Sequence, residues 1–290
     1  MEIEKFTDKQ VNGLLAHMNR METSSDNLDI DTSRVSLNYS LTPYTGVSRE
    51  EYQTSRKARG EVKARELEYY RQRKGEVYCY PRADVNTLVG AVITAPRELA
   101  GSPEKQEAFF RGVADFLFDR YGGEPTADGR MHPNIVSAEI HYDERQTSDA
   151  LIGHMHVSWV PAVKIDKVAL MEKPKHVKAM ENYDYKMGAK EMMNKSDLKS
   201  LHGDLQHYLD SHGIEGKVLL RGEGEGRRIN LTIEQIKDYT DRTGKTIDPE
   251  ILRNMTVDRV VSALERERSI EQSRWTADKG HSHDNDRGRW

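Results

Sequence analysis

Two alternating stretches, residues 135–142 and 154–163, constrain this chain more than any other feature. Successive side chains of a strand point to opposite faces, so a period of two marks a half-buried strand. In the second stretch His154 and His156 share one face, while Met155, Val157 and Trp159 share the other. The polar connection between the stretches is short enough for them to pair antiparallel. The chain is thereby committed to a sheet with one apolar side and one side that carries imidazoles.

Two histidines on one strand face have Cβ atoms roughly 7 Å apart, so both rings reach one divalent ion at about 2.0–2.1 Å. The earlier stretch contributes His141, followed by Asp143 and Glu144, which adds a third imidazole and carboxylates. Three histidines with an open position suit an ion that binds a substrate oxygen, and an added carboxylate suits Mn or Mg acting on phosphate. His281 and His283 repeat the spacing in a polar tail with no strand to align them, and are read as solvated.

Strands and helices are interspersed along the chain, which predicts an α+β fold. Residues 23–33 read as a polar loop. The alternation of 35–42 predicts a strand with Val35, Leu37, Tyr39 and Leu41 on one face, ended by Pro43 and Gly46. Residues 49–74 are helix-compatible and 85–95 a buried strand. An amphipathic helix over 104–121 begins at Ser102-Pro103 and closes at Gly122-Gly123. Ser196 is the expected cap of a later helix with Leu198, Leu201, Leu205, Tyr208 and Leu209 on its apolar face and Gly213 as its stop. The glycines of 222–228 match no phosphate-binding loop. A domain over 1–222, a helical polar extension over 223–268 and a disordered tail over 269–290 are expected.

Composition excludes several classes. One cysteine, Cys79, permits neither a disulfide framework nor a cysteine-based zinc site and fits a reducing compartment. The N-terminus is charged, and no run approaches the roughly 18–20 apolar residues of a membrane span. Secretion and stable membrane insertion are disfavoured, so a cytoplasmic location is expected. The formal net charge of −4 denies the chain a uniformly basic surface. Basic surplus is local: ten Lys/Arg against six acids over 49–82, and nine Lys against six acids over 164–199. These runs flank the histidine motif in sequence and can track a phosphate backbone.

The N-terminal third offers His17, Tyr39 and Tyr44 as nucleophiles. His17 lies in HMNR, where Asn19 and Arg20 can orient an imidazole and hold a phosphate. Attack on phosphorus by its nitrogen gives a phosphoramidate; attack by a tyrosine oxygen gives a phosphotyrosine. Spacing does not choose between them, and a place on an apolar strand face also fits Tyr39 as a core residue.

Taken together, these residues resemble the Mob/Pre family of plasmid mobilisation and recombination proteins, relaxases of the His-hydrophobe-His endonuclease superfamily. HMNR at 17–20 is similar to the family's HNxR motif with its two middle residues exchanged, and DIDTSRVSLNYSL at 29–41 is similar to its second motif. HYDE and HMHVSWVP are similar to HxDExxPHxH and the strand that follows it. AKEMMNKSDLKSLHGDLQHYLDSHGIEGKVLLRG is similar to the next helix and basic segment.

The resemblance implies an antiparallel sheet of about five strands, an ordinary sheet size, with helices packed on one face and a metal at its centre. It implies nicking and rejoining of single-stranded DNA at a plasmid or mobile-element transfer origin through a covalent 5′-phosphate intermediate. By position, His141, His154 and His156 would bind Mn2+ or Mg2+, with Glu144 as a fourth ligand. His17 would be the nucleophile, assisted by Arg20, with Tyr39 the alternative. Arg34 and Lys190, in the second and fourth motifs, would bind DNA. The implied partners are single-stranded or supercoiled DNA at a transfer origin, and conjugation machinery.

Two further departures stand out. Nine residues separate Glu144 from His154, more than the motif has, and Gly153 replaces its proline. The residues before His17 are also few, so the first strand of the sheet is expected to be short or missing. The same features fit two other readings: a non-catalytic DNA-binding or replication-associated module on this fold, and a metal-dependent hydrolase that uses water.

Overall fold

The two alternating stretches pair with each other at the centre of the sheet. The computed structural model describes residues 1–21, 30–42, 44–124, 132–144, 151–171 and 178–218. The expectations for 222–228, 223–268, 269–290, His281 and His283 lie outside the described residues. In chain order the elements are β1 (Glu2–Thr7), α1 (Asp8–Met18), β2 (Tyr39–Ser40), α2 (Arg49–Thr54), α3 (Arg56–Gly75), β3 (Asn86–Thr94) and α4 (Pro103–Tyr121). Then come β4 (Ile135–His141), β5 (His154–Trp159), β6 (Ala162–Lys164), α5 (Lys167–Met171), β7 (Tyr185–Met187), α6 (Ala189–Met192) and α7 (Lys195–Ser211). Five strands form an antiparallel sheet in the order β1-β3-β5-β4-β2, and β6 pairs with β7 in a second, two-stranded sheet.

The sheet has two chemically distinct faces. On one, Val89, Ala91, Ile93, Ala138, Ile140, Met155, Val157 and Trp159 pack with Phe109, Phe110, Val113 and Leu117 of α4. Leu201, Leu205 and Leu209 of α7 join the same cluster, fully buried, each worth about 1.5–3 kcal/mol in apolar transfer. This is the expected helical layer. A second layer covers part of the other face, where Val11, Leu15 and Met18 of α1 and Tyr70 of α3 pack with Leu88 and Val136. The histidines lie on the same face, with Ser137, Glu139 and Ser158.

Four sequence expectations need correction. The first strand is present: β1 pairs with β3 from Glu2 opposite Val92 to Thr7 opposite Asn86. It was hard to read because an edge strand keeps charged residues. The strand expected over 35–42 shrinks to Tyr39–Ser40, and Thr32–Leu37 winds into a 3-10 helix. Asp31 captures the Ser33 amide at 3.0 Å and starts that winding. The 154–163 strand ends at Trp159, and Pro161 separates it from β6 in the other sheet. Asn194, not Ser196, caps α7, accepting from the amides of Ser196 and Asp197 at 2.9 and 3.1 Å. Gly213 stops that helix with a φ of 65°, where a side chain would be strained.

Candidate metal centre

Successive pairs across β4 and β5 put Ser137 opposite Ser158, Glu139 opposite His156 and His141 opposite His154. All six face away from the apolar cluster. One ligand atom from each of His141, Glu144, His154 and His156 lies within 4.8 Å of the others. His154 Nε2 is 3.1 Å from His156 Nε2 and 3.3 Å from Glu144 Oε1. An ion with ligands at about 2.1 Å spans up to about 4.2 Å, so a small inward shift would close the set.

His141 gives a test of fit. Its Nε2 lies 2.7 Å from the Met18 carbonyl oxygen, which can only accept, so Nε2 carries the proton. Its Nδ1 is buried, has no hydrogen-bond partner, and keeps a lone pair for an ion. Burial pushes the imidazoles of His141 and His156 well below their usual range, reinforced by Arg20 at His141 and by His154 at His156. Neutral imidazole is the form that binds metal. Burial would raise Glu144, but His154 and Arg20 outweigh it and hold that carboxylate well below its usual range. Three imidazole nitrogens and one carboxylate fit a divalent ion.

Arg20 joins this set to His17. It follows α1 with a φ of 52° and is 4% exposed. Its Nε and Nη2 donate to Asp143 at 2.8–3.1 Å, Nη2 donates to Glu144 at 2.9 Å, and Nη1 lies 3.4 Å from His17 Nε2. Burial opposes the Arg20 charge, but Asp143 and Glu144 hold its pKa above the ordinary value. Asp143, fully buried, also accepts from Asn38 Nδ2 at 2.7 Å. The sequence offers Asp143 only as a carboxylate beside the histidines; that it holds Arg20, and that Asn38 holds it in turn, had no signal beyond their place inside the HYDE and LNY strings.

The structure brings His17 to the cluster. Its ring centroid lies 5.6 Å from that of His156 and 6.4 Å from that of His141, and Nε2 is 3.9 Å from Glu144 Oε1. A guanidinium has no acceptor, so the Arg20 contact meets Nε2 as a lone pair. The side chain is 28% exposed, within reach of a substrate.

Tyr39 is not brought there. It pairs with Ile140, whose side chain lies in the apolar cluster, so it points to the face opposite the histidines. Arg49 sits 3.9 Å over its ring, and burial raises its pKa far above the ordinary tyrosine value. The Tyr44 hydroxyl donates to the Val136 carbonyl, and its ring stacks on Tyr69 at 4.2 Å. Asn19 is also directed away from His17, donating to Glu66 Oε2 at 2.6 Å and to the Leu15 carbonyl at 3.1 Å. Arg34 pairs with Asp31 at 3.3 Å, in a segment that meets the site through the Ile30–Glu144 bridge. Lys190 is exposed in α6 beside β6, at the end of β5 away from His154 and roughly 20 Å from it at the rise of a strand.

Behind the histidines, Glu66 and Glu139 are buried together. Glu139 Oε1 accepts from Ser40 at 2.7 Å and Thr42 at 3.0 Å, and the Thr42 hydroxyl is 3.2 Å from Glu66 Oε1. Burial raises both carboxyls, Glu139 to about 7.

Plasmid recombination enzymes of Bacillus thuringiensis and Lactiplantibacillus plantarum are each 24% identical to this chain, over 275 and 235 residues. Those alignments cover 94% and 80% of this chain but 49% and 51% of the relatives, so the chain spans about half the length of the curated relatives it matches. Among solved structures, a Mn-bound MobM relaxase domain in complex with plasmid pMV158 oriT DNA matches with a TM-score of 0.54 at 20% identity. The match covers 82% of this chain and 96% of that one. A second Mn-bound complex of that domain matches at 0.52 and 20% identity, covering 82% and 97%. The likeness is one of fold. The plasmid recombination enzyme family (Mob/Pre) matches residues 1–238, a span that includes the helix of His17 and both strands of the metal set, and the chain belongs to that family.

Proposed function

We propose that the chain nicks and rejoins single-stranded DNA at a plasmid or mobile-element transfer origin, remaining joined to the 5′ phosphate in between. The observation that carries this reading is His17, delivered by α1 to within 3.9 Å of Glu144 at the edge of the ligand set. Family membership and the DNA- and Mn-bound state of the MobM domain support DNA and a divalent ion, Mn2+ or Mg2+, as its ligands.

His141, His154, His156 and Glu144 would hold the ion, which when bound supplies polarisation of the scissile phosphate. The Nε2 lone pair of His17 attacks phosphorus and the P–O3′ bond breaks; O3′ leaves as a 3′ hydroxyl with a proton from solvent water, and the phosphorylated ring gives up its Nδ1 proton to solvent. Attack of a 3′ hydroxyl on the phosphoramidate reverses the step and rejoins the strand. Arg20, fixed by Asp143, offers positive charge to the phosphate beside His17. Arg34 and Lys190 would contact the DNA backbone. No helix among the described residues is long and apolar enough to cross a membrane. In this reading the reaction takes place in the cytoplasm, and conjugation machinery receives the nicked strand.

The test is to incubate the full chain and Mn2+ with supercoiled DNA carrying its own element's transfer origin, then run denaturing gels with and without protease. A protease-sensitive adduct lost in His17→Ala and kept in Tyr39→Phe is expected. Loss only in Tyr39→Phe would move the nucleophile. Specific binding without nicking would favour the non-catalytic module, and metal-dependent cleavage without an adduct would favour the hydrolase.

A further inference from the structure

Gln106 lies on α4, the helix that packs on the apolar side of the sheet, yet its buried amide reaches the chain entering the metal strand. Its Nε2 donates to the carbonyls of Leu99 at 3.0 Å and Leu151 at 2.9 Å, and its Oε1 accepts from the Gly153 amide at 2.7 Å. The same short segment is held from a second side: Gly101 N donates to the Leu151 carbonyl at 3.2 Å and Ala95 N to the Gly153 carbonyl at 2.9 Å. Gly153 leaves no room for a side chain, since a Cβ would stand 2.8–2.9 Å from the Tyr142 ring and 3.0 Å from Phe110. His154 follows directly.

The motif this chain resembles has proline at position 153. A proline restricts the backbone through its own ring and has no N–H to give. Here the backbone restraint comes from outside, and it requires an N–H at position 153. The longer connection after Glu144 therefore enters β5 through an external clamp.

We propose that Gln106 is a positioning residue for the metal centre, fixing the entry to β5 and with it the place of the His154 imidazole. The inference rests on the reading of His141, Glu144, His154 and His156 as an ion site. Gln106 itself touches neither ion nor DNA.

The test uses the full chain, titrated with Mn2+ by calorimetry and loaded with Co2+, whose visible spectrum reports ligand number and geometry. Gln106→Met keeps the shape but neither donates nor accepts like an amide; Gln106→Glu keeps the acceptor for Gly153 and loses both donors. Arg120→Met is the control, because Arg120 ties α4 to Asp197 and Asp204 of α7. Mn2+ affinity should fall about tenfold or more in Gln106→Met, the range for groups that orient a ligand, and less in Gln106→Glu. The Co2+ spectrum should change with it, and neither readout should move in Arg120→Met. Wild-type affinity and spectrum in folded Gln106→Met overturn the proposal, as does an equal loss in Arg120→Met. If Gln106→Met does not fold, unchanged binding by Gln106→Glu overturns it. A wild-type chain that binds neither ion overturns the ion reading and this inference with it, a failure distinguished by needing no variant.

Discussion

Asn38 grips Asp143 across 105 positions of sequence: its Nδ2 donates to Asp143 Oδ2 at 2.7 Å while its Oδ1 accepts from the neighbouring Tyr142 amide at 2.8 Å. The carboxylate held in this way is the one that orients Arg20. The guanidinium beside His17 is therefore placed by buried hydrogen bonds rather than by a surface ion pair, which would be worth little.

Removing that carboxylate's charge should be costly. Asp143→Asn leaves the Arg20 guanidinium buried with its main partner weakened, and should lower stability by about 3–5 kcal/mol. Asn38→Ala should cost about 1–3 kcal/mol through the unpaired groups it leaves. Urea unfolding measures both, and an Asp143→Asn protein as stable as wild type would refute the assignment.

Tyr39 and His17 should separate cleanly. Tyr39→Phe should leave nicking within about twofold of wild type, because its hydroxyl is on the other side of the sheet, whereas His17→Ala should abolish the adduct. A burst of covalent product in single-turnover assays is the readout.

Metal removal gives a third prediction. Chelation should abolish nicking and Mn2+ should restore it. His154→Ala should weaken Mn2+ binding by about two orders of magnitude. His281→Ala combined with His283→Ala should leave the calorimetric affinity and stoichiometry unchanged; a drop in either would make that pair a second site.

The buried carboxyls set a pH trend opposite to that of the histidines. Burial raises Glu139 from 4.5 to about 7, so the folded state takes up a proton. Its favourable contribution is complete below about 4.5 and is lost as pH rises through about 7. The depressed imidazoles of His141 and His156 contribute above about 6.5 and lose that contribution as pH falls. In metal-free protein, Glu139→Gln should therefore gain stability relative to wild type as pH rises from about 4.5 to 7, by on the order of 2–3 kcal/mol. Urea denaturation with a chelator at several pH values checks this, and a difference that stays flat with pH would remove Glu139 as the titrating group.

The clustering of His141, His154 and His156 was legible because a period of two sorts side chains by face without any knowledge of tertiary contacts: His154 and His156 had to share a side, and His141 ended the partner strand. The same period placed Tyr39 with apolar neighbours, the side on which it lies. Asn38 was hidden because a polar residue in an alternating stretch reads as a solvent-facing one, and its partners are far away in sequence. Gln106 was hidden for a related reason: its partners are backbone groups of Leu99, Leu151 and Gly153, which no side-chain pattern reports. β1 was missed because edge strands need only weak alternation.

The three polar pairs across β4 and β5, ending in His141 and His154, make the hairpin intolerant of a one-residue insertion or deletion within either strand. A slip of one position would exchange the two faces at once, driving the histidines under α4 and turning Met155, Val157 and Trp159 outward. Length changes in this part of the molecule are therefore confined to the segment between Glu144 and Leu151, ahead of the residues that Gln106 clamps. That is where this chain differs in length from the motif it resembles, and it is the place where an engineered insert should be accepted without loss of the fold.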